Sequence, residues 1–180
     1  MQPTEILNQT FCHESFRGQQ EEIITTLMQG GHALVIMPTG GGKSICYQVP
    51  ALSLASTGHG MTLVISPYIA LMKDQVDALN DRGIDATFIN SSLTKEARIA
   101  RYRAIENGSY RLLYVTPERF QKSEFRRVLG GRKVTLLAID EAHCIRQWGH
   151  DFRPDYRNIR NVINEINNKL SVDEVRTNCV

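Results

Sequence analysis

Apolar residues recur in short runs rich in β-branched side chains at Ala33 to Met37, Met61 to Ile65, Ala86 to Ile89, Leu112 to Val115 and Val134 to Ile139. Runs of this length, apolar at successive rather than alternate positions, predict strands buried on both faces. Between them the spacing becomes helical: Gln19 to Gln29 with Gly30 as stop, Leu71 to Asp81 with Gly83, and Thr94 to Asn107 with Gly108. This alternation predicts an α/β fold, a mostly parallel sheet with helices on both faces. Ligands of such sheets bind at the carboxyl ends of strands, so the loops there are searched first. No internal repeat, low-complexity tract or linker interrupts the pattern.

Directly after the first run comes Met37-Pro38-Thr39-Gly40-Gly41-Gly42-Lys43-Ser44, followed by a helical stretch through Leu52. Strand, glycine-rich loop and helix are the context a phosphate cradle requires. Consecutive glycines let backbone N–H groups converge on phosphate oxygens at the positive end of the helix. Thr39, Gly40, Gly41 and Gly42 are therefore candidate phosphate contacts. Lys43 would reach the β and γ phosphates and the Ser44 hydroxyl would ligate Mg²⁺.

The run Val134 to Ile139 delivers Asp140-Glu141-Ala142-His143 at its carboxyl end. Asp140 suits a Mg²⁺ ligand, through water, and Glu141 suits polarisation of the water that attacks the γ phosphate. In isolation the tetrapeptide equally describes a solvated acidic turn with His143 as a helix cap. Its pairing with an upstream phosphate loop points to a hydrolase of Mg²⁺-bound ATP.

Composition excludes more than it selects. The 21 Lys+Arg and 19 Asp+Glu leave a formal charge of +2, so any surface for nucleic acid must be local. Cys12, Cys46, Cys144 and Cys179 lack the short paired spacings of a zinc site or a disulfide framework, and read as free thiols of a reducing compartment. The first residues show no secretory leader and no run approaches a membrane span, so the expectation is a soluble intracellular protein, cytoplasmic (nucleoid-associated) or nuclear, with no membrane partner.

Met37 to Ser44, Ser66-Pro67-Tyr68-Ile69-Ala70-Leu71-Met72-Lys73-Asp74-Gln75, Tyr114-Val115-Thr116-Pro117-Glu118-Arg119 and the DEAH box with Cys144 together resemble RecQ-family DNA helicases, from about Ile6 to Tyr156. The resemblance implies a RecA-like P-loop NTPase domain using ATP and Mg²⁺ for DNA strand separation in repair and recombination. Single-stranded or forked DNA would be the partner, and a second RecA-like motor domain would supply arginines to the nucleotide. Helicase motors commonly carry Pro-Thr-Gly where Pro38-Thr39-Gly40 stands. Phe16-Arg17-Gly18-Gln19-Gln20 resembles the family's adenine-recognition segment, which implies Gln20 on the base edge, Arg17 on its face and His13 where the family usually has an aromatic ring; without the resemblance Gln20 reads as an exposed residue of an amphipathic helix. The family's usual glycine before that ring is Cys12 here.

The segment Ile145 to Tyr156 holds Trp148, His150, Phe152 and Arg153, and resembles the family's aromatic-rich loop, which couples DNA to hydrolysis. Exposed rings would stack on unpaired bases while Arg153 holds phosphate. Trp148 and Phe152, four apart, fit a core-packing loop as well. The resemblance also implies DNA-backbone contacts for Ser66 and Arg119, each of which equally fits a capped helix start with a surface arginine.

From about Arg157 the chain leaves the family pattern. Ile159, Val162, Ile163, Ile166 and Leu170 repeat at helical spacing, and 171–180 is polar with no strand-like run. The expectation is an incomplete motor domain over 1–156, a helical tail over 157–180, no second motor domain, and a gap in the sheet where the family's next strand belongs. Two other readings stay open: a phosphate-loop kinase or NTPase that moves no nucleic acid, and a truncated ATP- or DNA-binding module without turnover.

Overall fold

In the computed structural model, which describes residues 1–38, 40–56, 58, 60–142 and the backbone of 176–179, four of the predicted strands form residue for residue. They are β1 (Met61–Ile65), β2 (Ala86–Ile89), β3 (Leu112–Val115) and β4 (Val134–Ile139), and every residue in them is buried. A further strand, β5 (Arg176–Cys179), completes a parallel sheet of order β2-β3-β1-β4-β5.

Burial on both faces follows from the helices. Helices α1 (Pro3–Phe11), α2 (Gln20–Met28), α3 (Ile45–Ser56) and α4 (Ile69–Asn80) cover one face, against Val64, Phe88, Tyr114, Leu136 and Ala138. Helices α5 (Lys95–Glu106) and α6 (Ser123–Gly130), with the 3₁₀ turn Pro117–Gln121, cover the other against Leu63, Ile65, Leu113, Val115, Leu137 and Ile139. Adjacent strand residues point to opposite faces, so each apolar run feeds two cores at once. The strand positions facing each layer carry mostly aliphatic side chains, as the unbroken runs require.

Helix starts and stops follow local chemistry. Thr94 caps α5 by accepting from the Ala97 N–H at 3.2 Å, and Gly30, Gly83 and Gly108 take positive φ just past their helices. Two helices lie outside the sequence expectation. In α1, Pro3 occupies the first turn and the Gln2 N–H donates to Glu5 at 2.9 Å, while Ile6, Leu7 and Phe11 bury one face. In α6, Phe125, Val128 and Leu129 do the same.

Two expectations are corrected. Ala33 to Met37 is not a strand; a single bridge at Leu34 is all it forms. Val35 turns into the core, whereas Leu34 and Ile36 are 74% and 89% exposed. β-Propensity becomes a strand only where a neighbour completes the ladder, and the free edge of β4 is taken by β5, with Leu136 opposite Arg176 and Ile139 opposite Cys179. The second correction concerns that edge. A polar tail was expected to form no strand and leave a gap; instead it supplies β5. An edge offers rows of unpaired N–H and C=O groups, and pairing with them depends on backbone rather than on side-chain polarity.

Candidate nucleotide site

Strand register sets the site. Ile89, Val115, Ile65 and Ile139 are aligned across the sheet, so the residues that follow them, Asn90, Thr116, Ser66 and Asp140, form a polar row along its carboxyl rim. All four are buried. The ladder continues through them, with Ser66 N–H donating to Val115 at 3.0 Å and Asp140 N–H to Ile65 at 2.8 Å.

The glycine loop enters beside this rim. Gly40 and Gly42 have φ of +80° and +79°, a conformation that costs other residues about 1 kcal/mol or more. The loop is closed by Gly41 N–H donating to Pro38 at 3.0 Å, and α3 begins immediately after it. Among the described residues, the N–H groups of Gly42, Lys43 and Ser44 donate to no backbone carbonyl. They stand at the positive end of a twelve-residue helix, a suitable cradle for an anion.

Two side chains close over the loop. Lys43 Nζ donates to the Met37 carbonyl at 3.1 Å. Gln20, only 3% exposed, donates through Nε2 to the carbonyls of Gly42 at 3.1 Å and Gly41 at 3.5 Å, while its Oε1 accepts from the Arg17 N–H at 2.8 Å. A Cβ on Gly42 would strike the Gln20 amide, which supplies a second reason for glycine there. The residue expected on adenine is thus joined to the phosphate loop itself. His13 and Arg17 are exposed nearby in sequence, after α1 ends with Cys12 at φ +57°. Cys12 therefore occupies the left-handed position for which glycine is favoured.

At the end of β4, Asp140 accepts from the Glu141 N–H at 3.0 Å, and Glu141 has φ +54°. Left-handed backbone at a glutamate stores about 1 kcal/mol, a cost concentrated at functional turns. The phosphate-loop helix meets this turn: Tyr47, in the first turn of α3, is fully buried and feels the charge of Asp140. Burial first, then neighbouring Tyr114 and Asp140, pushes the Tyr47 phenol well above its ordinary value; Tyr114 is pushed up to about 12, mainly by burial. Burial likewise raises the Cys46 thiol to about 11, so it stays protonated; Cys12 is also free.

Of the expected DNA contacts, Ser66 and Arg119 are 1% and 9% exposed. Among the described residues, Ser66 Oγ and Arg119 Nε are buried with no hydrogen-bond partner, and atoms left so call for one. Thr39 and the candidates Trp148, His150, Phe152 and Arg153 lie outside the described residues. The sequence reading missed Gln48, although its signal was present: one amide in the otherwise apolar first turns of α3, where it is buried.

A sheet whose carboxyl rim joins a glycine cradle to a strained acidic turn defines a phosphate-loop nucleotide-binding domain. The DEAD/DEAH box helicase family model matches residues 17–174, and the chain belongs to that family. It is 51% identical to the ATP-dependent DNA helicase RecQ of Bacillus subtilis over 91% of this chain and 27% of that protein. It is 42% identical to the ATP-dependent helicase SGS1 of Saccharomyces cerevisiae over 86% of this chain and 11% of that one. The chain thus spans about a quarter or less of these curated relatives. Among solved structures, it resembles the DUF1998 helicase MrfA, with a TM-score of 0.74 at 16% identity over 98% of this chain and 28% of that one. It also resembles a hypothetical ATP-dependent RNA helicase of Sulfolobus tokodaii, with a TM-score of 0.67 at 20% identity over 98% of this chain and 49% of that one. At those identities the structural likeness shows the fold, which is the helicase RecA-like domain expected from the sequence. Among the described residues, no helix is long and apolar enough to cross a membrane.

Proposed function

We propose that this chain is the ATP-binding motor domain of a RecQ-like DNA helicase, and that it binds ATP with Mg²⁺ between the glycine loop and the Asp140–Glu141 turn. The observation that carries the reading is the meeting of these two features: three loop N–H groups that donate to no backbone carbonyl among the described residues, at the start of α3, and the packing of α3 against β4, the strand that ends at Asp140. Phosphates would take the N–H groups of Gly42, Lys43 and Ser44, with the Lys43 ammonium leaving Met37 for the β and γ phosphates. Ser44 and Asp140 fit as holders of Mg²⁺, since hydroxyl and carboxylate oxygens are the donors it takes and the Glu141 N–H already orients one carboxylate oxygen. Bound there, Mg²⁺ supplies charge neutralisation at the phosphates. Glu141 would orient and polarise the attacking water. His13 and Arg17 would flank the base, with Gln20 linking base recognition to the loop.

DNA is the proposed partner because the RecQ protein of Bacillus subtilis, 51% identical to this chain, is a DNA helicase by name. Ser66 Oγ and Arg119 Nε, buried in this structure, would touch the DNA backbone only once the rim around them opens, and Trp148, His150, Phe152 and Arg153 would supply stacking and charge. A second RecA-like domain would deliver arginine to the γ phosphate, a contribution of about 10³ to 10⁵ in rate in related phosphate-loop enzymes. This chain alone should therefore bind Mg-ATP weakly and unwind nothing. The proposed work on DNA and the free thiols of Cys12 and Cys46 support a location in the cytoplasm, at the nucleoid, or in the nucleus. The test is a forked-duplex strand-displacement assay beside a nucleotide titration. Binding that is lost in Lys43→Ala, without unwinding, is the expected result; robust unwinding by the chain alone overturns the two-domain account.

A further inference from the structure

Inside the layer formed by α3, α4 and the sheet lies a polar chain that the nucleotide site does not use. Gln48 of α3 donates through Nε2 to Gln75 Oε1 of α4 at 2.8 Å and to the Tyr114 hydroxyl of β3 at 3.1 Å. The Tyr114 and Tyr47 hydroxyls are 3.5 Å apart, and their rings meet edge to face at 6.4 Å. Gln48, Tyr47 and Tyr114 are buried. Both amide hydrogens of Gln48 thus have an acceptor.

The same residue is tied to the phosphate loop through its backbone. Gln48 N–H donates to the Ser44 carbonyl at 2.9 Å, and Tyr47 N–H to the same oxygen at 3.2 Å. Any movement of Ser44 as phosphates displace Lys43 from Met37 therefore carries the first turn of α3 with it. The bonds that Asn80 Oδ1 and Met72 Sδ accept from the Ala86 N–H and Asn90 Nδ2 tie α4 to β2 and its end rather than to α3, and its remaining contacts in the shared core are the apolar ones of Met72, Val76 and Leu79. Such contacts are non-directional, whereas a hydrogen bond weakens steeply with distance and angle. The Gln48–Gln75 bond is the contact suited to convert a small shift of α3 into a shift of α4.

We propose that Gln48 is a positioning residue, transmitting the seating of phosphates at the loop to α4 and the Ser66-to-Gln75 segment through its bonds to Gln75 and Tyr114. This rests on the nucleotide and DNA reading above. An amide here has a cost that a plain core position would avoid: burying it unpaired is unfavourable by about 1–3 kcal/mol, and a methionine would fill similar space.

The experiment is a titration of the ¹⁵N-labelled chain with Mg-ADP, followed residue by residue in amide correlation spectra. Shifts are expected at Gly40 to Ser44 and also at Asp74 to Ala78 on α4. In Gln48→Met the loop shifts should persist while the α4 shifts disappear. Gln75→Met, on a half-buried position, should give the same separation if Gln48→Met fails to fold, and the double variant should lose nothing further. A purely space-filling Gln48 would lower the melting temperature when replaced but leave the α4 response in place, and that result overturns the proposal. Loop shifts without α4 shifts in the unaltered chain overturn it too, while sparing the nucleotide reading. No loop shift at all overturns both.

Discussion

The four strands from β1 to β4 and the run Ala33 to Met37 are equally apolar in sequence, yet only the former become sheet. The strands β1 to β4 each find a partner on at least one side, and their residues are buried throughout. The run before the glycine loop has its core contact through Val35 but leaves Leu34 and Ile36 outside. The difference teaches that an apolar run specifies burial, whereas the ladder that makes it a strand is a property of the neighbour. The loop is consequently anchored less by sheet than by side chains: Lys43 on Met37 and Gln20 on Gly41 and Gly42.

The largest expected effect that separates these regions is on stability. Leu63→Ala, at a fully buried centre of β1, should cost about 2–5 kcal/mol. Leu34→Ala and Ile36→Ala should stay within about 0.5 kcal/mol, as solvent-facing positions do. Urea unfolding checks both, and a large loss at Ile36 would mean that the run is a paired strand in solution.

Next is ligand affinity, where the ranking reverses. Lys43→Ala removes a charge-assisted contact worth about 1.5–3 kcal/mol, so Mg-ATP affinity should fall between about tenfold and 150-fold. Glu141→Gln should bind nearly as well as the unaltered chain, because it changes no phosphate contact. Calorimetric titration of both variants decides; equal losses would undo the roles assigned.

A smaller effect concerns backbone. Cys12→Gly and Glu141→Gly both relieve left-handed strain at non-glycine residues, and each should stabilise the chain by up to about 1 kcal/mol. A fall in melting temperature for Glu141→Gly would show that this turn is held by more than its φ angle. The last effect is nil at neutral pH. Because Tyr47 and Tyr114 keep their protons above the ordinary 10.0 when folded, their contribution is complete below that pH and is lost as pH rises through the folded values, near 12 for Tyr114. Melting temperature should hold steady up to about pH 10 and then drop, less steeply in Tyr114→Phe.

Much of this was legible from residues alone. Met61–Ile65 and Val134–Ile139 were readable because a strand buried on both faces leaves an unbroken apolar run, and the glycines at 30, 83 and 108 marked helix ends through the one conformation they tolerate best. The left-handed Cys12 was visible only as a departure from the family pattern, and its meaning became clear from φ. β5 was hidden because edge pairing is written in backbone groups common to all residues. The partners of Gln20 and Gln48 were hidden for the opposite reason: an amide can bond many ways, and the choice is made by groups that only the fold brings near.

The bonds that hold the glycine loop also make it a rival for its own ligand. In the proposed site, a phosphate oxygen that recruited Lys43 would have to outcompete the Met37 carbonyl, and an adenine that recruited Gln20 would have to draw it from Gly41, Gly42 and the Arg17 N–H. Apparent affinity would then be intrinsic affinity scaled by the fraction of molecules in which those bonds are open. If the closed arrangement is favoured by about 1.4 kcal/mol, that scaling is roughly tenfold. The same competition acts as a filter: a diphosphate or triphosphate with a base can replace both sets of bonds, whereas a lone phosphate replaces one.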